Sequence, residues 1–185
     1  MAIPLVHACG LVPALVALAL GSTVVLLRDD QPPQLRASIV RYRCAGVVVT
    51  PQQVPALLDP SGPAPSTLRM LVSSGAPLPV ELGNRATRVF GDVVHNWYAP
   101  PGSLLGSVAT PADWRAAPGS VGRAPFGAQA GVLGPDGRRI VEPGRPGEVH
   151  VGNRFAAPQD GAGATGASGH VDRAGRLFLD ARIAP

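Results

Sequence analysis

The sequence predicts an α/β fold, a parallel sheet with flanking helices, followed by a small β-barrel-like subdomain. Three observations carry this. Short apolar runs alternate with helical patterns between residues 23 and 98, as in chains that build parallel sheets. The run Gly46-Val47-Val48-Val49-Thr50 is apolar nearly throughout, the pattern of a strand covered on both faces. After Ala109 the texture changes to short β runs broken by Gly and Pro turns. Residues 1–109 are therefore expected to form the α/β part, and residues 110–185 the β-rich part.

Residues 3–27 hold no formal charge and are numerous enough to cross a bilayer. Pro4, His7, Gly10, Pro13 and Gly21 interrupt them, and no Lys or Arg precedes them as a secretory leader requires. The favoured reading is a buried helix over 10–20 and a buried strand over 23–27; a small membrane-associated protein is the alternative. Residues 34–42 predict an amphipathic helix with Leu35, Ile39 and Tyr42 on one side. Pro51 suits the first turn of a helix over 51–59, although Pro55 weakens it.

Residues 68–72 read as a strand stopped by Ser73, Ser74 and Gly75. Pro77 and Pro79 take the chain out of the sheet, and residues 80–90 then read as a helix with Leu82, Ala86, Val89 and Phe90 at helical spacing. Gly91 closes it before a second apolar run over 92–97. Strand, helix, strand is a βαβ unit. Its two strands end at one sheet edge, which places Ser74-Gly75-Ala76-Pro77 and His95-Asn96-Trp97-Tyr98 where open α/β sheets bind ligands.

Thr110-Pro111-Ala112-Asp113 reads as a capped helix start, with Trp114 packing inward. Residues 130–133 and 139–141 flank Pro135-Asp136-Gly137, a hairpin signal. Residues 147–152 and 177–179 read as further strands.

Composition narrows the function. The chain has 185 residues, a net charge of +4 and 45% hydrophobic residues. Every basic residue is arginine; there is no lysine, which excludes a phosphate-cradling lysine or a Schiff base within these residues. The arginines are scattered and not interleaved with the eight aromatics, so no nucleic-acid platform is expected. Cys9 and Cys44 stand alone, and the four histidines lack metal-ligand spacing. Two ordinary thiols in a cytoplasmic protein is the reading; peripheral membrane association is kept as the alternative.

The stretch from Leu68 to Gly102 resembles the adenylate-forming (AMP-binding) synthetases, most closely the bacterial fatty-acyl-CoA ligases. In that family a Ser-Gly-Ala-Pro-Leu-like turn holds the adenine of ATP, and a His-Asn-x-Tyr-Gly-Ser-Thr-Glu run closes on the same nucleotide. Ser74, Gly75, Ala76, Pro77 and Leu78 match the first, and His95, Asn96 and Tyr98 the second, with Trp97 between them. Residues 1–11 resemble the family's Pro-Leu-Phe-His-x-x-Gly, which puts His7 beside an acyl-substrate tunnel; a capping or half-buried histidine is the other reading. Pro118-Gly119-Ser120-Val121-Gly122-Arg123 resembles Pro-Gly-Thr-Val-Gly-Arg, and Asp180-Ala181-Arg182 resembles a Gly-Arg element that meets the nucleotide. The family also has a distorted barrel at the place of the β-rich part.

The resemblance implies ATP or AMP, Mg²⁺ and CoA as cofactors and a fatty acyl group as ligand. It also shows departures. Ala99-Pro100-Pro101-Gly102 stands where Gly-Ser-Thr-Glu should follow the tyrosine, so Gly102 takes the place of the Mg²⁺-binding carboxylate. Ala167 takes the place of the aspartate that grips the ribose. The family's phosphate loop and its lid domain with a catalytic lysine are expected to be absent as well, leaving a truncated fragment with no catalytic residue. The expected function is a remnant of an ATP-dependent fatty-acid–CoA ligase; a non-catalytic adenine- and acyl-binding or assembly module is the alternative. Adenine nucleotide is expected to bind weakly. The strand over 46–50 is expected to lose its cover, giving an exposed apolar face for self-association.

Overall fold

A computed structural model describes residues 3–27, 32–59, 65–154 and 163–182, of which 32, 33, 181 and 182 are described by backbone alone. The chain divides into two compact units, Met1–His95 and Asn96–Pro185.

The first unit begins with α1 (Ala8–Ala19) and α2 (Pro32–Arg41). Strand β1 (Gly46–Val49) leads through a 3₁₀ turn at Pro51–Gln53 into α3 (Val54–Leu58). Strand β2 (Met70–Ser73), α4 (Val80–Phe90) and the start of β3 (Val94–Tyr98) follow. β1 and β2 pair in parallel, from Gly46 opposite Met70 to Val49 opposite Ser73. The Leu71 amide donates to the Val93 carbonyl at 2.8 Å.

Val47, Val48 and Val49 are all buried, as are Leu71 and Val72. The expected loss of cover over the strand at 46–50 does not occur; α1 lies against β1, and Leu35, Ile39, Val54 and Leu57 of α2 and α3 are buried in the same unit. Leu35 and Ile39 anchor α2, and the Arg36 guanidinium donates to the Leu57 carbonyl at 2.7 Å, tying α2 to α3. Tyr42 does not join that stripe. The helix stops at Arg41, Arg43 turns to φ +50°, and Tyr42 is 52% exposed.

On α4 the buried positions are Gly83 and Ala86, while Val89 points outward. Small residues bring the helix axis close to its neighbours, so the stripe is set by Gly83 and Ala86 rather than by the larger side chains. The strand expected over 23–27 is not formed. A β-branched run needs a neighbouring ladder, and the described residues provide none there.

The apolar stretch over 3–27 is broken at several points. The helix expected over 10–20 forms as α1, twelve residues with Pro13 inside and Gly21 following at φ +75°, but it is not buried as expected: along it only Gly10 and Ala14 are. Twelve residues span about 18 Å against a hydrocarbon core of about 30 Å. Among the described residues no helix is long and apolar enough to cross a membrane.

In the second unit, β4 (Ser107–Ala109) runs antiparallel to β3, with Asn96 opposite Ala109 and Tyr98 opposite Ser107. The first sheet thus reads β1-β2-β3-β4. Helix α5 (Pro111–Ala116) follows, then β5 (Ala128–Leu133), β6 (Gly147–Asn153), β7 (Gly163–Val171) and β8 (Leu177–Arg182). These last four form a wholly antiparallel sheet in sequential order. Register shifts at Glu148/His150 and Ser168/Gly169 strengthen twist and curl. The sheet encloses a core of Val121, Val132, Ile140, Val149, Val151, Ala167 and Leu177. A Cβ on Gly169 would strike the Phe178 carbonyl, so that position in β7 requires glycine.

The hairpin at Pro135-Asp136-Gly137 forms its turn, with Gly134 donating to Arg138 O at 2.9 Å. Its return arm is a single bridge, Leu133 to Arg139, instead of a strand.

Helix α5 starts as its sequence predicts. The Thr110 hydroxyl accepts from the Asp113 amide, and the Thr110 amide donates to the Asp113 carboxylate at 3.2 Å, a reciprocal capping box. Trp114 is 1% exposed. The Arg123 guanidinium donates to the other Asp113 oxygen at 2.5 Å. Burial alone would push the Asp113 carboxyl up, but hydrogen bonds from Thr110 and the charge of Arg123 outweigh it and hold the group below the ordinary carboxylate range. A depressed carboxyl contributes stability that is complete above its unfolded value of about 3.9 and is lost as pH falls through the lower folded value. Urea melts of Asp113→Asn should show lower stability at pH 7 and a smaller further loss below about pH 4 than the parent chain. Equal acid sensitivity in both proteins would contradict this assignment.

Candidate nucleotide-binding elements

The turn after β2 is built by burial on one side and backbone geometry on the other. Ser74 is fully buried, and its amide donates to the Val49 carbonyl at 3.0 Å, pinning the turn to the end of β1. Gly75 follows at φ +90°, a conformation that L side chains rarely adopt. A Cβ there would find only Thr50 Cγ2, at 3.8 Å, so the dihedral and not the space demands glycine. Ala76 is half-buried, Pro77 is exposed, and Leu78 anchors the exit from the turn.

Cys9 on α1 hydrogen-bonds the Ser74 side chain, a neighbour that no spacing in the sequence announced. Burial pushes the Cys9 thiol up, against smaller opposing hydrogen bonds, so it is a thiol and not a thiolate at neutral pH. His7 occupies the N-cap position of α1 without a side-chain cap bond. It is exposed, and its carbonyl accepts from the Gly10 and Leu11 amides at 2.9 Å.

His95 closes the first unit, half-buried, with Nδ1 at 3.0 Å from the Val93 carbonyl. Asn96 begins the second unit and is buried; its amide donates to the Ser120 carbonyl at 3.1 Å. Trp97 is half-buried. Tyr98 packs against the apolar core of the second unit. The Tyr98 carbonyl accepts from the Gly106 amide at 2.8 Å and closes the loop that carries Pro100, Pro101 and Gly102.

That loop satisfies itself. Ser103 donates from its hydroxyl to the Pro100 carbonyl at 2.9 Å and from its amide to the same oxygen at 3.2 Å. Gly102 is exposed at φ +81°. A glutamate at that position would have to hold a left-handed backbone. Gly102 itself has no oxygen side chain for a hard cation, so the residues present do not fit Mg²⁺ here.

The two C-terminal elements meet in the sheet. Ala167 on β7 lies directly opposite Arg182 on β8. Ala167 is 8% exposed and belongs to the apolar cluster with Val149, Val151 and Leu177. Its methyl group has nothing to offer a ribose hydroxyl, so this position does not fit the sugar either.

His150 and His170 each pair with one carboxylate, Glu148 and Asp180, at 2.9 Å. Among the described residues no group of three or more His, Cys, Asp or Glu could hold a metal ion.

A parallel α/β sheet and a curled antiparallel sheet in succession define the N-terminal architecture of adenylate-forming enzymes. The sequence profile described as AMP-binding enzyme matches residues 1–158, and the chain belongs to that family. A sulfoacetate–CoA ligase of Cupriavidus necator is 30% identical over 97% of this chain and 38% of its own length. An amide bond synthetase of Marinactinospora thermotolerans superposes with a TM-score of 0.87 at 28% identity, over 98% of this chain and 40% of that one. An o-succinylbenzoate coenzyme A synthetase of Bacillus subtilis, solved with ATP and magnesium, gives 0.85 at 24% identity, over 98% of this chain and 41% of its own, a likeness of fold. The chain thus spans about two fifths of the relatives it matches.

The burial of Asn96 gives it a structural duty. Asn96→Ala leaves the Ser120 carbonyl without this donor and should cost about 1–3 kcal/mol, read as a lower midpoint in thermal denaturation. A midpoint unchanged from the parent would mean that the hydrogen bond contributes nothing to the fold.

Proposed function

We propose that this chain derives from an ATP-dependent acid–CoA ligase and does not by itself adenylate a carboxylic acid. The observation that carries this reading is Ala167. The place of a ribose-gripping carboxylate is taken by a methyl group inside an apolar cluster, where an unpaired carboxylate would be costly to bury. Gly102 supports it, since it stands where the resemblance places a metal-binding carboxylate, offers no oxygen side chain and holds a left-handed backbone. The absence of lysine from these 185 residues removes a further source of charge for a developing acyl phosphate.

On this reading Ser74, Gly75, Ala76 and Pro77 remain an adenine-contacting turn, Tyr98 and Arg182 are inherited nucleotide residues, and His7 is a relic of the acyl side. A fatty acyl group is the substrate class of the ancestor, and the cytoplasm its compartment. Purified chain incubated with ATP, Mg²⁺, CoA and a panel of carboxylic acids should release no pyrophosphate above a blank. Acid-dependent pyrophosphate release that co-purifies with the chain would overturn the proposal.

Self-association belongs to the same reading, with its seat moved from the sheet to α1. Leu11, Leu15 and Leu18 are exposed at i, i+4 and i+7 spacing, on one face of that helix, an apolar stripe of the kind that recruits partners. The chain should elute as an oligomer in size-exclusion chromatography with light scattering, and Leu15→Glu with Leu18→Glu should convert it to a monomer. A monomeric parent chain would refute this.

A further inference from the structure

Beyond the inherited nucleotide elements, the second unit holds a cavity of about 250 Å³. It lies between the segment after the 135–137 turn and the connection from β7 to β8. Its floor is apolar, with Ile140 and Leu177 nearly inaccessible and Ala130 and Val171 beside them. Arg123, Arg139 and Arg173 are also among the residues that line it.

The acidic groups around this cavity are already engaged. Asp172 accepts from the Ala174 and Arg176 amides at 2.9 Å and from the Arg176 guanidinium at 2.7 Å. Glu142 is paired with Arg145 at 2.7 Å. Arg123 is committed to Asp113 and, through Nε, to the Ala174 carbonyl at 2.9 Å. Arg139 makes only a long contact of 3.4 Å to the Ala130 carbonyl, its guanidinium lying over Gly131, where a Cβ would stand 3.4 Å from Nε. Arg173 has no carboxylate within ion-pair distance among the described residues. Two arginines without a carboxylate partner among the described residues therefore line a partly apolar cavity.

We propose that this cavity binds a small molecule with an oxyanion head, held by Arg139 and Arg173, and a short apolar stem lying on Ile140, Val171 and Leu177. Planar guanidinium groups match the two-oxygen geometry of carboxylate and phosphate, and an apolar wall with a few convergent polar groups is the usual form of a ligand site. The site lies wholly within the second unit and does not depend on the reading of the nucleotide elements.

Ligand-detected NMR on the 185-residue chain tests this with hexanoate, hexyl phosphate, inorganic phosphate and hexyltrimethylammonium. One or both hexyl anions should bind, and the tighter one identifies the head group. Inorganic phosphate should bind more weakly for want of the stem, and the cation should not bind. Arg139→Gln and Arg173→Gln should each weaken binding about tenfold, and both together should abolish it. Both side chains are exposed and free of ion pairs, so the thermal midpoint should not move. Val141→Glu, in the same lining and 75% exposed, should weaken binding independently by supplying a competing carboxylate. Failure of both hexyl anions, equal binding of the cation, or undiminished affinity in the double arginine variant or in Val141→Glu would each overturn the proposal.

Discussion

The Asp113 carboxylate accepts hydrogen bonds from the Thr110 amide and hydroxyl and from the Arg123 guanidinium, and the second unit is assembled around those bonds. Thr110 caps α5 and so fixes the helix to the end of β4. Arg123 exchanges backbone hydrogen bonds with Val108 on β4 and reaches the Ala174 carbonyl in the β7–β8 turn. One half-buried charge pair thereby ties a helix cap, an edge strand and a hairpin turn together. Gly122 makes the crossing feasible. At φ +75° its Cα lies so close to the Val108 carbonyl that no Cβ can be accommodated.

This arrangement explains the Pro-Gly-Ser-Val-Gly-Arg run at residues 118–123, which the sequence presents as a family motif without stating its duty. Gly119 and Gly122 both take positive φ, Val121 enters the core, and Ser120 supplies the carbonyl that Asn96 donates to. Asn96 and Arg123 therefore serve the fold before they serve any ligand.

Much of the fold was legible because it rests on local rules. Helix α4 matched its predicted bounds since apolar spacing, Pro79 before it and Gly91 after it all agree. β1 and β2 were legible as apolar runs, and α5 as a capped helix start. β7 was not legible as a strand. Its sequence, GATGASGHV, has one β-branched pair of residues in nine, Thr165 and Val171, and its strand conformation is imposed by β6 and β8 on either side. The 23–27 run failed in the opposite sense, with high strand propensity and no neighbour to pair with. For the candidate site, the turn at Ser74–Pro77 was readable from its residues, whereas the buried setting of Ala167 and the left-handed backbone at Gly102 needed coordinates. The sequence shows an alanine at 167, but only the packing shows that it sits inside an apolar cluster.

The account rests on the claim that an adenine-contacting turn persists while the ribose and metal anchors are gone. Calorimetric titration of the 185-residue chain with ATP, with and without Mg²⁺, measures that claim directly. The account predicts an affinity of about millimolar, equivalent to roughly 4 kcal/mol, unchanged by Mg²⁺. Micromolar affinity that requires Mg²⁺ would contradict it, because it would demand a metal and ribose site that Gly102 and Ala167 do not provide.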